Sequence, residues 1–454
     1  MKIIIVGLGD TGKGLIAALA DEKYDVTVID KDASLIECIT DNYSVNGVVG
    51  SGASRDTLLR AGADTADAFI ALTPVDEINL LSCMQAKALG TRRTAARILL
   101  PDFVGEADYL KQKYQIDYFV KPKLDIAEEI YRNIGLPGFI KLEGFFGNQV
   151  QMINLTVKDD SPLVGKSLMQ IKQSEHADII VGTVIRDGKL YVPDGEFVIE
   201  AGDDLGVITD KEKLHDTLDK LSIQQKNCKK IAIVGGGNTS EYLLSMLESD
   251  KVDITVFDNN LDRCRELMET HPNIKVSYAE GDVTEILEEE HIEKMDCLIS
   301  ITNNDETNLV VSMFAWSQDV ESIITRVFKT NNVKLLHKVN IDITVSPTEL
   351  SVLKMLRFIR NYEIGDAANS VGKFYMIADG LAEVMEFVAN DDFQKAGIEF
   401  KEKAFKLKKD VVIAAVVRGE ELIIPCGTTS IKKGDKVILV TSKKNHIRDL
   451  NDAF

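Results

Sequence analysis

The sequence predicts an α/β chain of two tandem Rossmann-like, doubly wound parallel-sheet domains, each followed by a small α+β domain. Three observations carry this expectation. A glycine-rich strand-to-helix motif returns in mid-chain, as IIIVGLGDTG and then IAIVGGGNTS. The register between the copies is long. Gly7 and Gly235, like Asp30 and Asp258, stand 228 residues apart, while Gly52 and Gly281, Asn79 and Asn308, and Arg97 and Arg326 stand 229 apart, which one indel explains. Each copy is also followed by short β-rich runs broken at Gly-Asp turns. The expected domains are 1–138, 139–224, 229–366 and 370–454.

Residues 2–6 are a continuous apolar run, as a strand buried on both faces requires. GLGDTG then leads into GLIAALA at helical spacing, and YDVTVID reads as a second strand ending in an acid. In this βαβ unit Gly7, Gly9 and Gly12 fit G-x-G-x-x-G: one glycine for the tight turn, one for backbone approach to a pyrophosphate, one for close helix packing. Asp30, at the tip of the second strand, is placed to accept ribose hydroxyls, which favours NAD(H) over NADP(H). The second copy departs from the pattern. Ser240 replaces the third glycine, and Glu241 stands where the first copy has Lys13, so this site is weakened, altered or vestigial.

IALTPVDEINL and ISITNNDETNL each read as a strand followed by a Thr-x-x-Asp capping box, Thr73 to Asp76 and Thr302 to Asp305. Both threonines also lie at the strand edge where doubly wound sheets bind ligands. Arg97 and Arg326 close the next strand, placed either to pair with phosphates or to bridge to a helix carboxylate. In the small domains, GTVIRDGKLYVP reads as a hairpin turning at Asp187-Gly188, with IAAVVRGEELIIP as its second copy. QQKNCKK, around residues 224–230, is the expected boundary between halves.

Composition narrows the function. The chain has no uncharged apolar run of about 18 residues, and MKIIIVGLGD lacks a leader pattern, so the expectation is a soluble intracellular protein. A net charge of -19 argues against nucleic acid, though helix N-termini still bind small anions in an acidic protein. The six cysteines (Cys38, Cys83, Cys228, Cys264, Cys297 and Cys426) lack CxxC spacing and are expected to be reduced and mostly buried. The six histidines stand apart from any motif and are expected mostly at the surface. That weakens the rival reading, an NAD-dependent dehydrogenase; the third reading is an assembly protein with vestigial sites.

The βαβ unit with Asp30, the stretch VVGSGASRDTLLRAGADTADAFIALTPVDEINL and the AAR that follows resemble the KTN/RCK family of potassium-transport regulators. Two such units, each with a smaller domain behind it (SPLVGKSL lies in the first), extend the resemblance over essentially the whole chain. It implies a non-enzymatic subunit that binds NAD(H) and ATP/ADP. It also implies self-association into a gating ring on the inner face of the plasma membrane, on a TrkH/TrkG-type potassium-translocating protein. Carried across by position, the first site comprises Gly7, Leu8, Gly9, Asp10, Thr11, Asp30, Ser51, Gly52, Thr73, Pro74 and Arg97. The second comprises Gly235, Gly236, Gly237, Asn238, Thr239, Asp258, Gly281, Asp282, Thr302, Asn303 and Arg326.

Overall fold

The structure is a computed structural model. It describes residues 1–454 apart from 21–23, 137–139, 146–149, 174–179, 192, 194, 222, 224–227, 280–282, 330–331, 334, 337–340, 342, 366–369, 378–381, 420, 424, 443–444, 446 and 448. Part of the expected boundary, 224–227, therefore lies outside the described residues. The chain forms two compact units, Met1–Ile134 with Cys228–Ile359, and Gly135–Asn227 with Arg360–Phe454.

The first unit opens with β1 (Lys2–Val6), α1 (Asp10–Leu19), β2 (Asp25–Asp30), α2 (Ala33–Asn42), β3 (Asn46–Val49), α3 (Arg55–Arg60), β4 (Ala68–Ala71), α4 (Asp76–Leu89), β5 (Arg93–Arg97), α5 (Pro101–Gly105), α6 (Ala107–Tyr114), β6 (Tyr118–Val120) and α7 (Pro122–Asn133). The six strands are parallel, in the order β3-β2-β1-β4-β5-β6. This is the doubly wound order, with its switch point beside β1. Ile3, Ile4, Ile5 and Val6 are all buried, which is why the opening strand reads as unbroken apolar sequence.

The second unit begins with β7 (Ile140–Phe145), β8 (Val150–Thr156), α8 (Leu168–Lys172), β9 (Ile180–Arg186), β10 (Lys189–Tyr191), β11 (Asp204–Asp210) and α9 (Leu214–Lys220). The chain then returns to the first unit with β12 (Lys230–Val234), α10 (Asn238–Leu247), β13 (Asp253–Asp258), α11 (Leu261–Thr270), β14 (Lys275–Tyr278), α12 (Val283–Glu289), β15 (Cys297–Ser300), α13 (Asp305–Ser317), β16 (Ser322–Arg326), β17 (Ile343–Val345) and α14 (Pro347–Gly365). It ends with β18 (Ser370–Ile377), β19 (Ala382–Val388), β20 (Val411–Arg418), β21 (Glu421–Ile423) and β22 (Lys436–Ser442). The later six-stranded sheet repeats the first order, as β14-β13-β12-β15-β16-β17.

The small domains are antiparallel five-stranded sheets of one topology, β10-β9-β11-β8-β7 and β18-β19-β22-β20-β21. The β9–β10 hairpin turns at Asp187 and Gly188, both at positive φ. Gly202 and Gly434 make the Gly-Asp turns at φ of 85° and 86°. The aspartate of each turn is buried and clamps an arginine from the hairpin. Arg186 Nε and a terminal nitrogen reach Asp203 at 2.7 and 2.8 Å, and Arg418 reaches Asp435 at 2.9 and 2.7 Å. The sequence had shown only the turns. Residues on one face of β22, Ile438 and Val440, pack with Val384, Ala415, Met152 and Ile208, so the two small sheets share a core. Val437 and Leu439 pack on the opposite face, as a period of two requires.

In the first unit the last helix of each half crosses to the other half. Ile126, Ala127 and Ile130 of α7 are buried with Ile231, Ile233, Leu243 and Leu244 of the second half. Conversely, Val352 of α14 lies against α1, where a Cβ on Gly14 would stand 3.0 Å from it, and Phe358 stacks on Tyr118 of β6 at 5.7 Å between ring centres. Where the two helices meet, Lys354 Nζ pairs with Asp125 Oδ1 at 2.5 Å. Burial pushes the Asp125 carboxyl up, and the lysine opposes that shift. Lys354→Ala leaves this carboxylate buried without its cation and is expected to destabilise the first unit by about 3 kcal/mol in a denaturant titration. The apolar pair Asp125→Leu with Lys354→Met is expected to recover most of that loss.

Candidate functional site

The glycines at the end of β1 are demanded by their surroundings. Gly7 sits at φ 94°, and a Cβ there would stand 2.9 Å from Thr73 N. A Cβ on Gly12 would come within 2.0 Å of Gly7 O, so α1 can approach the turn only with glycine there. Gly9 is the N-cap of α1, no side chain caps the helix, and the space beside it is open. The first-turn N–H groups are thus left for an anion. Asp30 does two things at once. Its Oδ2 accepts from Leu8 N at 2.7 Å and its Oδ1 from Asp32 N at 3.0 Å, so the acid at the β2 tip also holds the loop.

The expected capping boxes are absent. Thr73 N and Oγ1 both donate to Asn79 Oδ1, at 2.8 and 2.7 Å, and Asn79 Nδ2 donates to Thr73 O and Arg97 O, both at 2.9 Å. Asp76 Oδ2 accepts from Leu99 N and Leu100 N, both at 2.7 Å. A fully buried asparagine one turn into α4 takes the threonine, and the aspartate holds the loop after β5, so Val75 is an N-cap without a side-chain bond. The second half repeats this. Thr302 pairs with Asn308, Asp305 accepts from Phe328 N and Lys329 N, and α13 is capped by Asn304 through Thr307 N. Both threonines stand just past the strand ends, as expected, but neither they nor the aspartates have the partners a capping box requires.

A cavity of about 560 Å³ opens at the carboxyl edge of the first sheet. The loop from Gly7 to Thr11, together with Asp30, Gly52, Thr73, Pro74 and Arg97, forms one wall. Ser51 is not on it; its hydroxyl accepts from Ala53 N at 3.3 Å. The facing wall belongs to the other half: Thr239, Asn303, Arg326 and Phe328, with Pro347, Thr348 and Ser351 from the start of α14. Three residues assigned by position to the second site thus line the cavity of the first. Lys123, at the start of α7, was not foreseen and lines it as well. The one signal for these additions is the repeated Val-x-Pro that ends β6 and β17 and opens the crossing helices.

The cavity is rich in positive charge partly or wholly withdrawn from solvent. Arg97 Nε is buried without a hydrogen-bond partner, and Arg97 forms no ion pair among the described residues, so the helix-carboxylate bridge is not made. Burial pulls its pKa down, with Asp76 opposing. Lys123 is lowered by burial and further by Arg326, while Asp76 opposes. Arg326, 6% exposed, is lowered to about 10 by burial, with Asp305 opposing. It donates to Thr302 O and, at 2.9 Å, to Asn303 Oδ1, leaving Nε unpartnered. Three desolvated cations in one cavity suit an anionic ligand.

The second glycine loop keeps the backbone and changes the chemistry. Gly235 turns at φ 105°, and Asp258 accepts from Gly236 N at 2.6 Å and Asn260 N at 2.8 Å. Ser240 Oγ donates to Gly235 O, the carbonyl matching the one Gly12 approaches in the first half. Arg263 donates to Gly236 O at 2.6 Å and pairs with Glu241 at 2.7 Å, so the anion that replaced Lys13 has its own counter-cation at the loop. Gly235, Gly236, Gly237, Asn238, Asp258 and Thr302 do not line the cavity, and Gly281 and Asp282 lie outside the described residues.

Of the cysteines, Cys38 and Cys426 are exposed, the other four are buried, and all six are free thiols. Of the histidines, expected mostly at the surface, His271 is buried beside Glu248 and His291 is exposed; His176, His337 and His446 lie outside the described residues. No described helix is long and apolar enough to cross a membrane.

A doubled sheet of this order, with a cation-rich cavity at the glycine turn, defines a tandem protein of the Rossmann-like class. Comparison with known proteins makes this particular. The TrkA-N domain model matches residues 3–122 and 231–347, and the TrkA-C domain model matches 152–222 and 395–454. The chain is 30% identical over 458 residues to the Trk system potassium uptake protein TrkA of Halomonas elongata, covering 100% of this chain and 98% of that one. It is 28% identical over 454 residues to the TrkA homolog of Archaeoglobus fulgidus, covering 100% of both. Among solved structures, the GsuK channel bound to NAD shares the fold with a TM-score of 0.63 at 19% identity, covering 98% of this chain and 77% of that chain. The chain belongs to the TrkA family of RCK regulatory proteins of potassium transport.

Asn79→Ala removes four hydrogen bonds at a fully buried position and is expected to destabilise the first unit by about 3 kcal/mol on urea titration. Ser51→Ala, off the cavity wall, is expected to change stability by less than about 0.5 kcal/mol.

Proposed function

We propose that the first half binds NAD(H) and ATP/ADP in the cavity at its glycine turn, and that the occupied chain controls potassium passage through a TrkH/TrkG-type membrane protein. The observation that carries this reading is the convergence at one cavity of the uncapped α1 N-terminus, the Asp30 carboxylate and three partly or fully buried cations, Arg97, Lys123 and Arg326. The phosphates sit at the helix N-terminus and the ribose at Asp30. Because both halves line the cavity, a ligand that prefers one angle between them shifts the population toward that angle; equal affinity for all angles would shift nothing. Self-association into a ring on the inner face of the membrane carries the change to the partner. A hydride-transfer enzyme has less support, since among the described residues no histidine lines the cavity to serve as acid or base.

Calorimetric titration of the full chain with NADH, NAD, ATP and ADP tests the reading. Wild type is expected to bind, Asp30→Ala to weaken NADH at least about tenfold through the lost ribose contact and the freed loop, and Asp258→Ala to leave NADH within about threefold. Wild-type chain that binds none of the four would leave an assembly scaffold as the better account.

A further inference from the structure

The glycine turn and Asp30 account for one end of the cavity. Arg326, on the facing wall, adds charge to the cavity but has as yet no ligand group assigned to it. Strand order fixes the direction in which a ligand runs. Asp30 ends β2, the glycine turn follows β1, Thr73 follows β4 and Arg97 ends β5, so a nucleotide with its ribose at Asp30 extends its phosphates past α1 toward Thr73 and Arg97. The wall met beyond that point belongs to the other half of the chain, where Arg326, Asn303 and Thr348 stand.

Arg326 is a built feature of this wall. It is 6% exposed, its bonds to Thr302 O and Asn303 Oδ1 fix the plane of the guanidinium, and its Nε has no partner. A buried donor of this kind is costly unless something accepts from it. At its own glycine loop the negative side chain Glu241 and its partner Arg263 stand where the first half has Lys13 and Leu35, while Arg326, which has no carboxylate partner among the described residues, lines the cavity of the first half. The α14 N-terminus, at Pro347 and Thr348, adds a second helix end to the same wall.

We propose that Arg326 is a specificity-determining residue acting across the two halves: it takes the distal phosphate of a nucleoside polyphosphate held by the first half. The inference rests on the nucleotide reading of that site. It makes the more degenerate half the reader of ligand charge, so the same ligand ties both halves together in proportion to the phosphates it carries.

The test is calorimetric titration of AMP, ADP, ATP and NAD into the full chain, as wild type, Arg326→Gln, Thr348→Glu and Asp30→Ala. Wild type is expected to bind ATP at least about tenfold more tightly than AMP, the gain of a charge-assisted contact. Arg326→Gln is expected to compress the AMP-to-ATP series to within about threefold while leaving AMP and NAD near their wild-type affinities. Thr348→Glu, which places a carboxylate on the same wall without breaking a buried bond, is expected to do the same and decides the matter if Arg326→Gln fails to fold. An ATP preference that survives both substitutions, or an equal loss of AMP and ATP in both, overturns the inference. Asp30→Ala separates the two failures. If it weakens every nucleotide while the ATP preference survives Arg326→Gln, only the distal contact is wrong; if wild type binds no nucleotide, the site reading falls with it.

Discussion

Helix α7 leaves the first half to pack on the sheet of the second, and α14 makes the reverse crossing. The joint is held by apolar burial at Ile126 and Ile130, by the stacked rings of Tyr118 and Phe358, and by the Asp125–Lys354 pair where the helices meet. Everything distinctive about the cavity follows from this exchange. The start of α7 brings Lys123 to one wall and the start of α14 brings Thr348 and Ser351 to the other, while the contact between halves sets Arg326 against the first glycine turn. An isolated first half would keep the βαβ unit and lose the wall that faces it.

On this frame the two halves have diverged while keeping the same supports. Asn79 and Asn308 make the same bonds to a threonine and to the carbonyl of the strand-end arginine, and Asp76 and Asp305 hold the same loop. These buried groups resist change because losing one strands several others. The glycine loops were freer to change. Ser240 keeps the turn by bonding Gly235 O, and the reversed charge of Glu241 is matched by Arg263. Identical support with altered loops is the pattern expected of one scaffold carrying two unequal sites.

Most of the fold was legible because its signals are local. An unbroken apolar strand, a glycine turn and an acid about twenty residues on are imposed by neighbouring backbone, and the repeat displayed them twice. The partners of Thr73 and Asp76 were not legible, since Thr-x-x-Asp suits a capping box equally well until a buried Asn79 is seen to compete for the hydroxyl. The role of Arg326 was hidden for a different reason. Position along the chain assigns it to its own half, and only the packing of one half against the other turns it toward the first cavity. The Arg186–Asp203 and Arg418–Asp435 clamps were missed in the same way, a glycine turn announcing the bend but not the arginine it holds.

The crossing of α7 and α14 has a further consequence because both belong to one polypeptide. Were the halves separate molecules, the joint would dissociate on dilution, and the cavity would exist only at protein concentrations above the dissociation constant of the pair. Tethered, each half meets the other at an effective concentration on the order of millimolar, whatever the copy number in the cell. A response that depends on both walls can then track its ligand independently of how much of the protein is made.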